Sequence, residues 1–240
     1  MDRSLVIIPT YNEKENVQDI IDAVIQLDES FDVLIVDDGS PDGTASLVKE
    51  KQSQLPERIH LVERSGKLGL GTAYIRGFVY GLERPEYTYI FEMDADFSHN
   101  PNDLLRLKAA CNGAGDMSIG SRYVKGGQVK DWTWDRILLS YCASWYVNMI
   151  LGMGVKDPTA GFICYHRKVL ESMDLKQIHW VGYAFQIAMK YEAFCLGFKI
   201  NEVPITFKDR EKGTSKMSFN IFSEAMLGVW NMRKKKSARR

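Results

Sequence analysis

The sequence predicts an α/β protein built on a mostly parallel sheet flanked by helices. Short segments of strand pattern, at 5–8, 32–38, 58–63, 89–93 and 116–121, alternate with segments of helical pattern. This alternation favours βαβ units and hence a parallel sheet. Several of the strand segments also end in acidic residues, and a chain of 240 residues can bury one large core. We therefore expect a single α/β domain.

The first half of the chain contains three such units. A helix is expected at about 15–27, between the first two strands. The turn at 39–44 leads into a second helix, which Asp42 or Thr44 would cap. After the third strand, the glycine-rich loop at 66–71 opens a third helix that ends at about Leu82.

The second half begins with the central strand at 89–93, which ends in Asp94 and Asp96. A helix follows at 103–111, and the strand at 116–121 ends at Arg122. Beyond Gly126 the pattern predicts a helix from about Asp135, a short strand at 163–165 and a helix at 183–195. The last strand, at 202–207, contains Pro204, which indicates an edge position. A final helix is expected at 219–230, so the domain covers 1–218, and 219–240 form an amphipathic helix with a basic tail.

The charge balance limits the classes of partner. Lys plus Arg and Asp plus Glu both total 31, which argues against a general nucleic-acid binder. The basic residues concentrate locally in the tail at 233–240. The four cysteines match no zinc or redox spacing, and no secretory leader is evident, so we expect reduced thiols in a cytoplasmic protein.

The longest uncharged stretch, 137–155, has a length that is borderline for crossing a bilayer. Ser140, Ser144 and Asn148 interrupt it, which favours an amphipathic or buried helix over a transmembrane one. Its apolar and aromatic side chains suit a core, a dimer face or a membrane surface. These three alternatives stay open at the level of the sequence.

Carboxylates follow three of the predicted strands: Glu13, Asp38, and the pair Asp94 and Asp96. Open α/β sheets bind ligands at the carboxyl ends of their strands, so these groups should share one edge. Two neighbouring carboxylates there would repel each other unless a cation lies beside them, and oxygen ligands favour Mg²⁺ or Mn²⁺. Each acid alone is more typical of a helix cap or a solvated turn than of a ligand site. Together they indicate a nucleotide bound with a metal.

The glycine-rich loop is weaker evidence for a phosphate site. Its glycines, at 66, 69 and 71, miss both the Walker A pattern and the dinucleotide fingerprint. Lys67 is therefore as compatible with a surface lysine as with a phosphate ligand. The missing fingerprint also argues against an NAD-dependent enzyme.

Four motifs occur in the order found in family 2 glycosyltransferases: PTYNE at 9–13, VDDGSPDGT at 36–44, KLGLGTAY at 67–74 and MDADFSH at 93–99. Three more, GSRY at 120–123, DPTAGF at 157–162 and REKGTSK at 210–216, narrow the resemblance to the polyprenol-phosphate (dolichol-phosphate) mannose synthases. The resemblance covers about residues 4–218. It implies a GT-A fold, GDP-mannose as donor, a polyprenyl phosphate as acceptor, and inversion at the anomeric carbon.

The resemblance also implies roles for individual residues. The nucleoside positions correspond to Pro9, Tyr11, Glu13 and Asp38. Asp94, Ala95 and Asp96 correspond to the pyrophosphate and metal positions, with Asp96 and Asp94 as metal ligands. The basic positions for donor and acceptor phosphates correspond to Arg122, Arg210 and Lys216, and we add Arg136 and Lys67 as candidates. As catalytic residues we expect Asp94, Arg122 and Arg210. Ser98 departs from relatives that carry a metal-ligating Gln there, so water or His99 would complete the metal shell.

Two alternative functions remain at this stage. One is a related lipid-phosphate transferase with another donor, such as UDP-glucose, and the other is a nucleotide-sugar-binding module without turnover. Retention of Asp94, Asp96 and the basic loop at 210–216 argues against the second. A lipid acceptor, the apolar stretch and the basic tail together predict a peripheral protein on the cytoplasmic face of a membrane.

Overall fold

A computed structural model of the chain describes residues 2–113, 115–180, 182–209 and 228–234. In the first half the elements are β1 (Arg3–Thr10), α1 (Val17–Ile25), β2 (Phe31–Asp37), α2 (Thr44–Gln54), β3 (Ile59–Glu63), α3 (Leu70–Leu82), β4 (Tyr87–Glu92) and α4 (Asp103–Gly113). In the second half they are β5 (Met117–Ser121), β6 (Gln128–Val129), α5 (Trp134–Leu151), β7 (Ile163–His166), α6 (Arg167–Glu171), a 3₁₀ turn (Leu175–Gln177), α7 (Gly182–Cys195), β8 (Ile200–Pro204) and β9 (Thr206–Phe207). Residues 228–234 are helical and are called α8.

The main sheet has seven strands in the order β3-β2-β1-β4-β7-β5-β8. Neighbouring strands run parallel, except that β7 is antiparallel to both β4 and β5. In the centre, Val6 of β1 pairs with Val33 of β2 and Phe91 of β4. The carboxyl ends of β1, β2, β4 and β5 therefore meet at one edge of the sheet, and the predicted fold class is confirmed.

Both faces of the sheet are covered by helices. Leu5 and Ile7 of β1 belong to a core cluster that includes residues of α3, α5 and α7. Val6 and Ile8, which point to the other face, pack with residues of α1 and α4. All four side chains have no exposed surface. This two-sided burial explains why the strands read as continuous apolar runs rather than as alternating patterns.

Some predicted elements differ from those in the structure. The expected strand at 202–207 is two strands: β8 ends at Pro204 on the edge of the main sheet, as predicted, and β9 pairs with β6 in a separate two-stranded sheet. The short elements α6 and β6 were not predicted. Of the expected final helix, 219–227 lies outside the described residues, while 228–230 is helical. The domain boundary at 218 lies in the same undescribed part and stays a prediction.

The segment that follows β4 folds back onto the core. Asp96 accepts a hydrogen bond from the backbone N–H of Ser98 (3.1 Å), and Phe97 has a left-handed backbone with φ 58°. His99 stacks on Phe162 with a centroid distance of 4.7 Å and meets the edge of Phe207 at 5.4 Å. Burial lowers the pKa of His99 to about 4, although the charge of Asp96 acts in the opposite direction. The imidazole is therefore neutral at pH 7.

This packing predicts a loss of stability in mild acid. The pKa of His99 is lower in the folded protein than in the unfolded chain, so between pH 6.5 and 4 this residue is more protonated in the unfolded chain. The stability that depends on a neutral His99 is fully present above the pKa of the unfolded chain and is lost as the pH falls below it. From pH 7 to pH 5 we expect His99 alone to reduce the free energy of unfolding by about 2 kcal/mol.

Urea denaturation at both pH values in metal-free buffer measures this loss. The His99→Phe variant keeps the aromatic contact with Phe162 but does not titrate. Between pH 7 and pH 5 we expect the variant to lose about 2 kcal/mol less of its free energy of unfolding than the wild type loses. If the variant and the wild type lose the same amount, the assignment to His99 is contradicted.

Candidate active site

A cleft of about 450 Å³ lies at the carboxyl edge of the sheet. All of the predicted site residues that the structure describes line it: Pro9, Tyr11, Glu13, Asp38, Lys67, Asp94, Ala95, Asp96, Arg122 and Arg136. Their strands are far apart in the sequence but adjacent in the sheet, which is why the cleft collects them. Arg210 and Lys216 lie outside the described residues, so their predicted roles stay predictions.

The end of the cleft at β1 and β2 is acidic. Glu13 accepts a hydrogen bond from the Asn16 amide (3.0 Å), and its backbone N–H donates to the Thr44 hydroxyl (3.1 Å). Asp38 is buried and forms an ion pair with Arg64, with 2.6 Å between Oδ1 and Nε. Both carboxylates thus have partners that hold them in place at the mouth of the cleft.

Arg64, which pairs with Asp38, was not predicted from the sequence to take part in the site. Its Nη1 donates to the Thr72 hydroxyl (2.7 Å) in the first turn of α3, so this side chain connects Asp38 with the glycine-rich loop. A signal existed, because Arg64 directly follows β3 just as the acids follow β1 and β2. Lys67, from the same loop, lies with Nζ 5.2 Å from the ring centroid of Tyr11.

Asp37, the neighbour of Asp38, has a structural role. It is buried, and its carboxylate accepts hydrogen bonds from the Thr10 hydroxyl (2.8 Å) and from both the hydroxyl (2.6 Å) and the backbone N–H (2.8 Å) of Ser40. These bonds fix the turns after β1 and β2 against each other. Asp37 does not line the cleft, so of the two aspartates only Asp38 can meet a ligand there.

The middle of the cleft contains the two aspartates that follow β4. The Asp94 side chain is 41% exposed, whereas Asp96 is buried. His99 Nδ1 lies 3.9 Å from Asp94 Oδ2 and has no hydrogen-bond partner among the described residues. Carboxylate oxygens beside a neutral imidazole are suitable ligands for a divalent cation.

The described residues contain no group of three or more His, Cys, Asp or Glu side chains arranged to hold a metal. Asp94 and Asp96 thus do not form part of a complete protein cage. Mg²⁺ usually binds through one or two carboxylates and takes its other ligands from water and substrate phosphates. The residues present fit an ion that is shared with a bound nucleotide.

At the opposite end, Arg122 forms a buried ion pair with Asp157. Its Nε and Nη2 lie 2.7 and 2.6 Å from the two carboxylate oxygens, and Nη2 also donates to the Thr159 hydroxyl (2.8 Å). Burial favours the neutral form of Asp157, but the charge and hydrogen bonds of Arg122 lower the pKa of this carboxyl below its usual value. Arg122 lines the cleft as predicted, and it is also the residue that holds the 157–161 loop.

A second arginine reaches the same end of the cleft from α5. The guanidinium carbon of Arg136 lies 3.9 Å from the ring centroid of Trp132, and that of Arg122 lies 5.5 Å from it. Arg136 Nη1 also contacts Asp209 at 2.8 Å. Two guanidinium groups thus lie around one indole, at what we call the arginine end of the cleft, and each is paired with a carboxylate.

Beneath the cleft lies a buried polar network around Glu92. Glu92 accepts hydrogen bonds from the Tyr165 hydroxyl and the Gln186 amide, both at 2.6 Å, and burial raises its pKa to about 7. Lys190, also fully buried, donates to the carbonyl oxygens of Ala160 (2.6 Å) and Gln186 (3.1 Å). Burial lowers the pKa of Lys190 to about 8. The network joins β4, β7 and α7 to the 157–161 loop.

Close to the arginine end of the cleft, α5 presents an exposed apolar face. Small or aliphatic residues of α5 pack inward, whereas Trp134 and Trp145 are 76% and 64% exposed. The exposed face, which we call the α5 outer face, comprises Trp134, Leu138, Tyr141, Cys142, Trp145 and Met149. Among the described residues, no helix is long and apolar enough to cross a membrane. Because most of the large side chains of α5 are exposed, the prediction that they belong to the core is wrong for them.

Comparison with known proteins places the chain in a family. A family model described as Glycosyl transferase family 2 matches residues 5–178. A polyprenol monophosphomannose synthase from Mycolicibacterium smegmatis is 48% identical over 233 residues, which cover 96% of this chain and 88% of the relative. An undecaprenyl-phosphate mannosyltransferase from Micrococcus luteus is 44% identical, over 95% of this chain and 92% of the relative.

Among solved structures, a glucosyl-3-phosphoglycerate synthase from Mycobacterium tuberculosis in complex with Mn²⁺, UDP-glucose and phosphoglyceric acid superposes with a TM-score of 0.70. The identity is 16%, and the match covers 97% of this chain and 80% of that one, so the likeness shows a shared fold. It agrees with the expected GT-A fold. Together, the family match and two relatives above 40% identity confirm the resemblance and exclude an NAD-dependent enzyme: this chain belongs to the family 2 glycosyltransferases.

Proposed function

We propose that this enzyme transfers mannose from GDP-mannose to a polyprenyl phosphate at a membrane surface, with a divalent cation and with inversion of the anomeric carbon. The observation that carries the proposal is the order of groups along one cleft. An acidic end with Glu13 and Asp38, the Asp94 and Asp96 pair, and the arginine end beside the α5 outer face follow one another in the order of the strands. The names of the two curated relatives supply mannose and the polyprenyl phosphate.

The acidic end suits the nucleoside. Carboxylates accept hydrogen bonds from ribose hydroxyls and from base N–H groups, as an acidic residue does in dinucleotide sites. Guanine presents such N–H donors, and Asp38 is already oriented by Arg64. The ring of Tyr11 offers an apolar surface beside the Lys67 ammonium.

The Asp94 and Asp96 pair suits the pyrophosphate with its cation. When bound, Mg²⁺ or Mn²⁺ would be held by Asp96 and Asp94 and would stabilise the negative charge that develops on the departing nucleoside diphosphate. Without a cation, these carboxylates would repel the donor phosphates. Asp94, the more exposed of the two, can also stabilise positive charge on the sugar or orient the nucleophile.

The arginine end suits the phosphate of the acceptor. A phosphate monoester has a second pKa of about 6, so at neutral pH it is mostly a dianion and needs no general base. Arg136 and Arg122 around Trp132 can hold its oxygens by charge-assisted hydrogen bonds. Arg210 and Lys216 are additional candidates from the sequence.

The reaction is then a single displacement. An oxygen of the acceptor phosphate forms a bond to C1 of mannose from the arginine end, while the bond from C1 to the β-phosphate oxygen breaks on the opposite side. The electron pair of the broken bond leaves with GDP. One displacement at C1 inverts its configuration, and no proton has to be removed from the nucleophile.

A polyprenyl tail must leave the cleft towards lipid. The α5 outer face begins next to Arg136, which belongs to the same helix and lines the cleft. Tryptophan and tyrosine favour the headgroup level of a bilayer, and basic residues favour its anionic surface. Arg233 of α8 donates to the Ile150 carbonyl (2.7 Å), so the start of the basic segment lies at the far end of α5.

A donor screen tests the proposal directly. GDP-mannose, UDP-glucose and UDP-GlcNAc, each radiolabelled in the sugar, are incubated with a short polyprenyl phosphate in Mn²⁺ or in EDTA. We expect transfer from GDP-mannose only, and only with the cation. Transfer from UDP-glucose in place of GDP-mannose would overturn the donor assignment, and full activity in EDTA would overturn the metal requirement.

The metal assignment predicts the behaviour of Asp96→Asn. Asparagine keeps the oxygen that accepts from Ser98 N–H, so the turn persists, but the ligand loses its charge. We expect Mn²⁺ to improve GDP affinity at least tenfold in the wild type and less than twofold in the variant, measured by titration calorimetry. Asp28→Asn is the matched control, because Asp28 accepts from Ser30 N–H in the same local geometry (2.7 Å) away from the cleft. Persistence of the Mn²⁺ effect in Asp96→Asn would defeat the assignment.

The membrane assignment predicts the behaviour of a Leu138→Gln/Trp145→Gln variant. Both side chains are exposed, so the fold should tolerate the change, whereas insertion into the headgroup region loses apolar area. We expect vesicle binding to fall at least tenfold in co-sedimentation, with turnover of a short, water-soluble acceptor within twofold of wild type. Leu55→Gln, an exposed leucine on the α2 side of the molecule, is the control. If vesicle binding is unchanged and a wild-type dimer dissociates instead, the α5 outer face is a dimer interface.

A further inference from the structure

The side-chain amide of Gln186 donates to a buried carboxylate, and its oxygen has no hydrogen-bond partner among the described residues. Gln186 lies in α7, is 3% exposed and lines the cleft. Its Nε2 donates to Glu92 Oε2 at 2.6 Å. Its Oε1 has no hydrogen-bond partner among the residues that the structure describes. A buried amide oxygen without a partner is costly, so such an atom in a ligand cleft points to a donor that arrives with the ligand.

The hydrogen-bond network assigns the orientation of this amide. Glu92 accepts at both oxygens, from the Tyr165 hydroxyl at Oε1 and from Gln186 at Oε2. When Glu92 is ionised, above its pKa of about 7, the reverse orientation would place the Gln186 oxygen against a carboxylate oxygen, where two acceptors face each other. The ionised Glu92 therefore holds the amide with its NH₂ group inward, as the structure has it, and Oε1 remains available as an acceptor.

Gln186 lies in the part of the cleft that is expected to hold the sugar. Glu92, its partner, ends β4 two residues before Asp94, and a Cβ on Gly161 would lie 3.6 Å from Gln186 Nε2. Gly161 lies two residues before β7 begins at Ile163, so the amide lies near the ends of β4 and β7. The acidic end assigned to the nucleoside lies over β1 and β2, on the far side of the aspartate pair.

We propose that Gln186 is a specificity-determining residue for the glycosyl donor, and that its Oε1 accepts a hydrogen bond from one hydroxyl group of the transferred sugar. This inference rests on the proposed function and names a recognition contact within the same site. The phosphate oxygens of donor and acceptor are acceptors themselves and cannot satisfy Oε1. The sugar is the part of the substrates that brings hydroxyl donors to this position.

The contact has a consequence for selectivity. A site built to pair a hydroxyl rejects the analogue that lacks it, because the buried acceptor is then left unpaired. We expect roughly a ten- to hundredfold lower kcat/KM for the one deoxy sugar that lacks the paired hydroxyl. The other deoxy sugars should not depend on Gln186.

The test compares deoxy donors in matched variants. A panel of 2-, 3-, 4- and 6-deoxy analogues is built on whichever nucleotide sugar the donor screen identifies. It is measured with the wild type and with Gln186→Met, which keeps the length of the side chain and loses the amide. We expect the wild type to discriminate against one analogue, and Gln186→Met to use that analogue and the parent sugar within threefold of each other. The affinity of the nucleoside diphosphate alone should stay within twofold.

A second variant separates recognition from disturbance of the buried network. Tyr165→Phe removes the other hydrogen bond to Glu92, and Tyr165 does not line the cleft. This variant should keep the discrimination of the wild type. Equal loss of discrimination in Tyr165→Phe would overturn the proposal, as would an unchanged pattern in Gln186→Met. A weakened Mn²⁺ affinity in Gln186→Met would also overturn it, because Oε1 would then be a metal ligand.

The outcome is distinguishable from failure of the proposed function. If the donor screen identifies a sugar other than mannose, the donor assignment fails, while the deoxy panel on the identified donor still tests Gln186. If GDP-mannose is transferred and Gln186→Met retains the selectivity of the wild type, only the inference about Gln186 fails.

Discussion

The ion pair between Arg122 and Asp157 holds the arginine end of the cleft together. Removing two charges from water is costly, and a buried pair is tolerated when its geometry is good and its remaining hydrogen bonds are satisfied. Both conditions are met: Arg122 contacts both oxygens of Asp157 and the Thr159 hydroxyl, and Asp157 N–H donates to Glu202 (3.1 Å). The pair thereby connects the end of β5, the 157–161 loop and β8. Loss of one partner would leave an uncompensated buried charge, which typically costs about 3–5 kcal/mol.

The direction of β7 explains why the 157–161 loop can take part. In a fully parallel sheet, the segments that follow the strands reach the carboxyl edge, as Asp38 and Asp94 do. Because β7 runs antiparallel to β4 and β5, the segment that precedes it arrives at that edge instead. This reversal brings Thr159 and Gly161 into the lining of the cleft that Asp94 also lines, and Lys190 holds the loop through the Ala160 carbonyl. One strand of opposite direction thus adds the 157–161 loop to the cleft.

Most of the helices and strands could be predicted from the sequence. Every predicted site residue that the structure describes also lines the cleft. These predictions were possible because strand-end acids such as Asp38 and Asp94 depend on local pattern and on one rule about parallel sheets. The sequence could not show that β7 runs antiparallel, since a short apolar run has no direction until its neighbours are known. Nor could it show that Arg64 pairs with Asp38 or that Glu92 orients Gln186, because both contacts join segments that are remote in the chain. For the apolar stretch at 137–155, the sequence left a core, a dimer face and a membrane surface as alternatives. The structure excludes the core for most of its large side chains because they are exposed.

The α5 outer face has a practical consequence, because it includes a thiol. Cys142 is exposed, whereas Cys111 and Cys164 are buried and Cys195 is intermediate. Thiol reagents react with accessible groups, so alkylation of the folded protein should concentrate at Cys142, on the helix that also contributes Arg136 to the cleft. A fluorophore attached there would report the polarity of whatever covers this face. The unmodified chain therefore carries a built-in attachment point for spectroscopy.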